Sequence, residues 1–269
     1  MRNFLMTVSC IFAALLIGVL PSANADVFDD FSDLNDTANP TWTHLSGLVA
    51  STGQTWDAST GQYRMTAPNN GFSNLGFVGS YVAESQSDVV VSADIVSFID
   101  DPVAQGGPFA VAARLDGNNA FNSLKGYAYA YEPQSDSGNG EFALYRINGA
   151  SLVDLNPIGV ENVDYFRKVT LDPNKDYTFT LSVVGSFLSG QVQEIGGPVV
   201  AYQTAIDATY ASGFSGLFGY SQNPIPTTDL TWDNFQSVGV PEPATSLLIV
   251  LGGLVLTVLG RGYRSPPNA

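Results

Sequence analysis

The 269-residue sequence contains very little cysteine, histidine or lysine. Cys10 is the single cysteine and His44 the single histidine, and lysine occurs only at Lys125, Lys168 and Lys175. One cysteine excludes an internal disulfide framework. One histidine excludes a His-Glu-x-x-His metal centre, and the chain has no Gly-x-Ser-x-Gly nucleophile motif. Positive charge is equally scarce. From Asp26 to Gly239 there are 24 acidic and 7 basic side chains, a formal balance of −17 with His44 neutral. A nucleic-acid surface needs the opposite sign, so that class of partner is excluded. Such acidity suits divalent cations and disfavours polyanionic glycans unless calcium bridges them. No stretch between the two ends carries the periodicity of an amphipathic helix of 12 residues.

The long apolar runs that do exist lie at the termini. Arg2 precedes an apolar stretch from Phe4 to Leu20, followed by Pro21 and Ala23-Asn24-Ala25. Small residues at Ala23 and Ala25 predict a leader over 1–25 that engages the export machinery and is cut by signal peptidase. Near the other end, Val240-Pro241-Glu242-Pro243 precedes an apolar run, Thr245 to Gly260, closed by Arg261 and Arg264. This tail, 239–269, resembles the PEP-CTERM sorting signal of Gram-negative bacteria through Pro241, Glu242, Pro243, the apolar segment 245–260 and Arg261. That resemblance implies a membrane helix, an exosortase as partner, and an association with extracellular polysaccharide. The location it implies is export across the inner membrane, transient or stable anchoring, and delivery to the cell surface or extracellular matrix.

Between the ends, residues 26–238 read as strands. Short apolar–polar alternations are separated by Gly, Asn, Asp and Pro. Tyr177, Phe179, Leu181 and Val183 alternate with Thr178, Thr180 and Ser182, a clean period of two. Tyr127, Tyr129 and Tyr131 share one face, with Ala128 and Ala130 opposite. Further strands are expected at Asp88 to Phe98, Phe109 to Leu115, Glu141 to Ile147, Gly190 to Ile195, Gly213 to Tyr220 and Leu230 to Val238. The predicted class is all-β, a two-sheet antiparallel sandwich.

Arg114-Leu-Asp-Gly-Asn-Asn, Gly126-Tyr-Ala-Tyr-Ala-Tyr, Glu141-Phe-Ala-Leu-Tyr-Arg and Trp232-Asp-Asn-Phe resemble the body of a laminin-G-like, concanavalin A-like jelly-roll domain. The resemblance implies glycan binding and a structural calcium, and in some relatives glycosidase or lyase activity. The stretch from Gly190 to Ala205 departs from the family pattern, because it carries Gly196-Gly197-Pro198 where a short Asp-Gly hairpin is expected. The Glu-x-Asp-x-x-Glu run of the family's retaining glycosidases is missing, so no catalytic residue is assigned.

Two candidate sites follow. Asp233 shares a face with Phe235 on the last strand, and a buried carboxylate needs a cation or several donors. First and last strands of a sandwich are often neighbours, so Asp30 and Asp233 are the expected Ca²⁺ ligands. The alternative is that a bulge turns Asp233 outward or that it accepts turn N–H bonds. The expected glycan surface is the stripe Tyr127, Tyr129 and Tyr131 with Arg114 and Arg146, on which sugar C–H faces would stack; the alternative is that these tyrosines fill the sheet interior. The functional expectation is a non-catalytic protein that binds polysaccharide, with a purely structural protein and a divergent carbohydrate-active enzyme as the competing readings. An open aromatic groove favours the first, and inward tyrosines favour the second.

Overall fold

The computed structural model describes residues 26–45, 53–68, 76–99, 107–118, 120, 122–133, 140–149, 151–155, 168–221 and 228–241. Fifteen strands are formed among them. The first five are β1 (Val27–Asp29), β2 (Trp42–His44), β3 (Thr55–Asp57), β4 (Tyr63–Ala67) and β5 (Gly76–Gln86). Next come β6 (Val89–Phe98), β7 (Phe109–Leu115), β8 (Lys125–Glu132), β9 (Glu141–Asn148) and β10 (Ser151–Asp154). The chain closes with β11 (Tyr177–Val184), β12 (Phe187–Glu194), β13 (Val199–Ile206), β14 (Gly213–Ser221) and β15 (Thr228–Gly239).

The strands form two antiparallel sheets. One runs β13-β12-β11-β6-β15-β4-β3, with β1 also paired to β15; the other runs β10-β9-β8-β7-β14-β5-β2. All-β, two-sheet architecture is therefore as expected. Neighbourhood of the first and last strands also holds, with Asp29 opposite Phe235. The segment that departs from the laminin-G-like pattern forms the β12–β13 hairpin, turning at Gly196-Gly197-Pro198.

The expected C-terminal membrane helix is overturned. Among the described residues the fold is entirely β, and no helix is long and apolar enough to cross a membrane. The expected segment, 245–260, lies outside the described residues, as do Glu242, Pro243, Arg261, Ala23 and Ala25; Pro241 is the last residue described. At 16 residues that segment is also short of the roughly 20 that span a bilayer. The anchored location and the partners expected from that helix are therefore not carried further, and the leader, 1–25, lies outside the described residues.

The core between the sheets is aromatic. Phe109 from one sheet meets Phe179 and Trp232 from the other, with ring centroids 5.4 and 5.9 Å apart, and Phe179 meets Trp232 edge-on at 5.9 Å. Edge-to-face contacts of this kind add to the stabilisation from burial alone. Tyr129 reaches across to Gly190 on β12, where a Cβ would come within 2.3 Å of its ring. Glycine is needed there because the ring lies directly on the backbone.

The outer face of the seven-stranded sheet carries a second apolar cluster, including Phe77, Tyr81, Ala110, Ala128, Ala130, Ile147 and Phe218. Strands β7 and β8 are consequently apolar on both faces.

Candidate functional site

Register places small residues side by side on that outer face. Ala143, Ala130 and Ala110 are cross-strand partners on β9, β8 and β7, followed by Phe218 on β14 and Gly79 on β5. The adjacent row is Tyr145, Ala128, Ala112 and Gly216. Side chains alternate between faces along a strand, so Ala110, Ala128 and Ala130 present only methyl groups to the outside. The result is a shallow trough of about 40 Å³, on whose floor Ala110, Ala128 and Ala130 are 5, 4 and 6% exposed.

The trough's walls come from flanking strands. Tyr145, Ile147 and Leu152 stand on one side, and Phe77, Phe218 and Tyr220 on the other. Gly79 lets the Phe218 ring lie against β5, since a Cβ there would approach it to 2.7 Å. Glu132 is the one carboxylate of the lining among the described residues, and it accepts a hydrogen bond from the Tyr145 hydroxyl. Glu132, Tyr145 and Tyr220 are half-buried, so each keeps a surface toward solvent. The chemistry available is stacking on two phenol rings, apolar contact along the floor, and hydrogen bonding at the Glu132 end.

The tyrosine stripe is on the opposite face. Tyr127, Tyr129 and Tyr131 are 0% exposed and belong to the core, so they do not form a glycan surface. Period-two spacing placed them on one face correctly, but that face is the inside. The Tyr131 hydroxyl accepts the Leu171 N–H at 3.0 Å. Burial alone pushes the Tyr129 hydroxyl well up, and among the described residues it has no hydrogen-bond partner.

Arg114 is corrected in the same way. It is 3% exposed with a left-handed φ of 52°, and its guanidinium is consumed by protein. Nε donates to the Ser87 carbonyl at 2.6 Å, Nη1 to the Gly185 and Tyr210 carbonyls at 2.8 Å each, and Nη2 to Asp88 Oδ1 at 3.1 Å. Burial pulls its pKa down and Asp88 opposes that pull. Arg114 thus ties three separate turns together.

Arg146 lies close by, on β9. Its Nη1 donates to Asp207 Oδ2 at 2.7 Å and to the Thr209 hydroxyl at 3.1 Å. Asp207 Oδ1 accepts the Tyr127 hydroxyl at 2.7 Å, and the Tyr127 oxygen accepts the Tyr210 N–H at 3.0 Å. Burial, supported by Asp207, pushes the Tyr127 hydroxyl up to about 12. Burial also acts to raise Asp207, but hydrogen bonds from Thr209 and Tyr127 and the charge of Arg146 outweigh it and hold the carboxyl below its ordinary value. Arg114, Tyr127 and Arg146 do converge, then, but on a structural clasp.

Asp30 and Asp233 also come near one another, without the buried geometry expected. The register of β15 shifts between Asp233 and Gln236, and Asn234 takes a φ of 50°, a conformation that Asn tolerates. This bulge lets both Trp232 and Phe235 face the core and turns Asp233 outward, half-exposed. Partial burial still raises the Asp233 carboxyl, and the charges of Asp94 and Asp30 raise it further. Asp30 is exposed and accepts the Ser32 N–H at 3.1 Å. Among the described residues no group of three or more His, Cys, Asp or Glu side chains is arranged to hold a metal ion.

Two tryptophans outside the stripe are also engaged. Trp42 donates from Nε1 to buried Asp29 at 2.7 Å. Trp56 stacks on His44, with centroids 4.3 Å apart, and donates to the Gly79 carbonyl at 3.1 Å.

Among solved structures, the sandwich is similar to the CBM2 module of the evolved Dit of Lactobacillus casei BL23 phage J-1, at 12% identity and a TM-score of 0.54 over 82% of this chain and 97% of that one. It is similar to the alginate lyase Aly36B, whose structure holds alginate tetrasaccharide, at 12% identity and a TM-score of 0.52 over 84% and 100% of the two chains. Lectin UEA-II, complexed with galactose, matches at 9% identity and a TM-score of 0.52 over 81% and 100%. The fold is the two-sheet jelly roll that these structures share. Identities this low speak for the fold alone, and within it both binding modules and lyases occur. No protein-family model and no curated protein matches the chain.

The trough was not visible as a site in the sequence. Its signal was the alanine at every second position of β7 and β8, which becomes a floor only when register sets those alanines side by side.

Proposed function

We propose that this protein is a non-catalytic glycan-binding module that holds its ligand in the alanine-floored trough. The observation that carries the reading is the row Ala130–Ala110 lying between the rings of Tyr145 and Tyr220. A pyranose ring presents a flat C–H face, which a methyl floor and phenol walls accommodate, and its hydroxyls can reach Glu132 and the tyrosine hydroxyls at the rim. The jelly-roll fold, shared with structures that hold alginate tetrasaccharide or galactose, supports the same reading.

The non-catalytic part is supported by the carboxylates. Two carboxyl groups facing one sugar are the usual requirement for glycoside hydrolysis. Glu141 lies opposite Glu132 across β8–β9, yet it is buried and not part of the trough lining. The inward turn of Tyr127, Tyr129 and Tyr131 favours a second reading, a purely structural protein without a specific ligand.

A glycan array probed with the full-length protein separates the two. Binding is expected, and Tyr145→Ala and Tyr220→Ala are each expected to weaken it about tenfold, the equivalent of roughly 1.4 kcal/mol. A silent array, including natural polysaccharide mixtures, would overturn the binding reading in favour of the structural one.

A further inference from the structure

The trough restricts which glycan it can take. Resting on the glycan-binding reading above, we infer that its ligand is a neutral glycan bearing methyl groups, as acetyl substituents or at a 6-deoxy position, and not a polyuronate.

The floor carries the first half of this inference. Ala110, Ala128 and Ala130 offer carbon only, and the backbone groups beneath them are engaged in the β7–β8 and β8–β9 ladders. A hydroxyl pressed onto that floor would lose its water and gain no partner, at a cost of about 1–3 kcal/mol. Methyl groups gain on transfer to the same place. Ile147, Leu152, Phe77 and Phe218 extend the carbon surface up both sides. Hydroxyls are accommodated only at the rim, where Glu132, Tyr145 and Tyr220 stand.

Charge carries the second half. Among the described residues the trough lining contains no Lys, Arg or His, and its carboxylate is Glu132. The chain as a whole has a formal charge of −15. A polyuronate carries a carboxylate on every sugar, and a site for it needs cations or bidentate Arg donors. The two arginines that sequence alone would have offered, Arg114 and Arg146, are spent on carbonyls and on Asp207. The preference therefore runs opposite to that of the alginate lyase that shares the fold.

The test is isothermal titration of the full-length protein against a panel. It comprises neutral glycans in O-acetylated form, the same glycans after alkaline deacetylation, 6-deoxyhexose oligosaccharides, alginate and polygalacturonate. At least one methyl-bearing neutral glycan is expected to bind, with affinity reduced tenfold or more once the methyl group is removed, and with no heat from the two polyuronates. Equal or tighter binding of a polyuronate, or of the deacetylated form, would overturn the inference while leaving glycan binding intact. Silence across every member would overturn the glycan-binding reading itself, and this inference with it.

Discussion

The Tyr127 hydroxyl donates to Asp207 Oδ1 at 2.7 Å, and that carboxylate's other oxygen takes Arg146. Both partners were candidate ligand contacts in the sequence, and both are used to pin the segment that leads from β13 into β14.

Removal of this carboxylate should be costly. The Asp207 side chain is only 8% exposed, so Asp207→Asn leaves Arg146 and Tyr127 with weaker partners. Hydrogen bonds to charged groups contribute roughly 1.5–3 kcal/mol each, and a loss of about 2–3 kcal/mol is expected in urea denaturation. The pH dependence has a definite sign. Asp207 titrates below its unfolded value of 3.8 in the folded protein. Its contribution is fully present above 3.8 and is lost as pH falls through the lower folded value. The Asp207→Asn variant should lack that acid limb, and ultraviolet titration should find Tyr127 below its wild-type value of about 12.

Tyr129 gives the opposite expectation. Its ring is essential to the fit against Gly190, but its hydroxyl is buried without a partner among the described residues. Tyr129→Phe should therefore be neutral or stabilising by up to about 1 kcal/mol, because an unpaired buried hydroxyl is removed. Gly190→Ala should cost about 1–3 kcal/mol by overpacking the same contact. Thermal melts of the two variants should move in different directions.

These residues also mark how far the sequence could be read. β11 was legible because it is polar on one face, so Tyr177, Phe179, Leu181 and Val183 stand out. β5 was not. Phe77 and Tyr81 point outward and Val78 and Val82 inward, and all four are buried, so no polar alternation exists to be seen. Period two could group Tyr127 with Tyr129 and Tyr131 but could not say which side of the sheet they occupy. In a sheet buried on both faces the bulky side chains fill the space between sheets, and the alanines are left outside. The Asp233 bulge was similarly hidden, because the extra residue in β15 changes which face each neighbour takes.

Filling the trough should abolish binding. Ala130→Leu adds a branched side chain on the outer face of β8, away from the core between the sheets, at a position only 6% exposed. Glycan affinity is expected to fall at least about tenfold, a loss of roughly 1.4 kcal/mol or more. Because Ala130 is buried among its neighbours, overpacking is expected to cost about 1–3 kcal/mol, so affinity is compared at a temperature where circular dichroism shows the variant folded. A variant that binds as well as wild type would place the glycan elsewhere.

Asp233 tests the calcium expectation against simple repulsion. Its carboxyl is raised by partial burial, then by Asp94 and Asp30, so the folded protein holds this proton more tightly than the unfolded chain. The raised folded value means that the site stabilises most below 3.8 and loses that contribution as pH rises through the folded value. With partial burial and then charge repulsion as the causes, Asp233→Asn raises the melting midpoint at neutral pH in the presence of a chelator, and this is the expected result. A calcium ion shared by Asp30 and Asp233 would reverse the pattern, because a cation bound only to the folded chain adds stability by mass action. The wild type would then melt higher in millimolar calcium than in chelator, and Asp233→Asn would erase the difference.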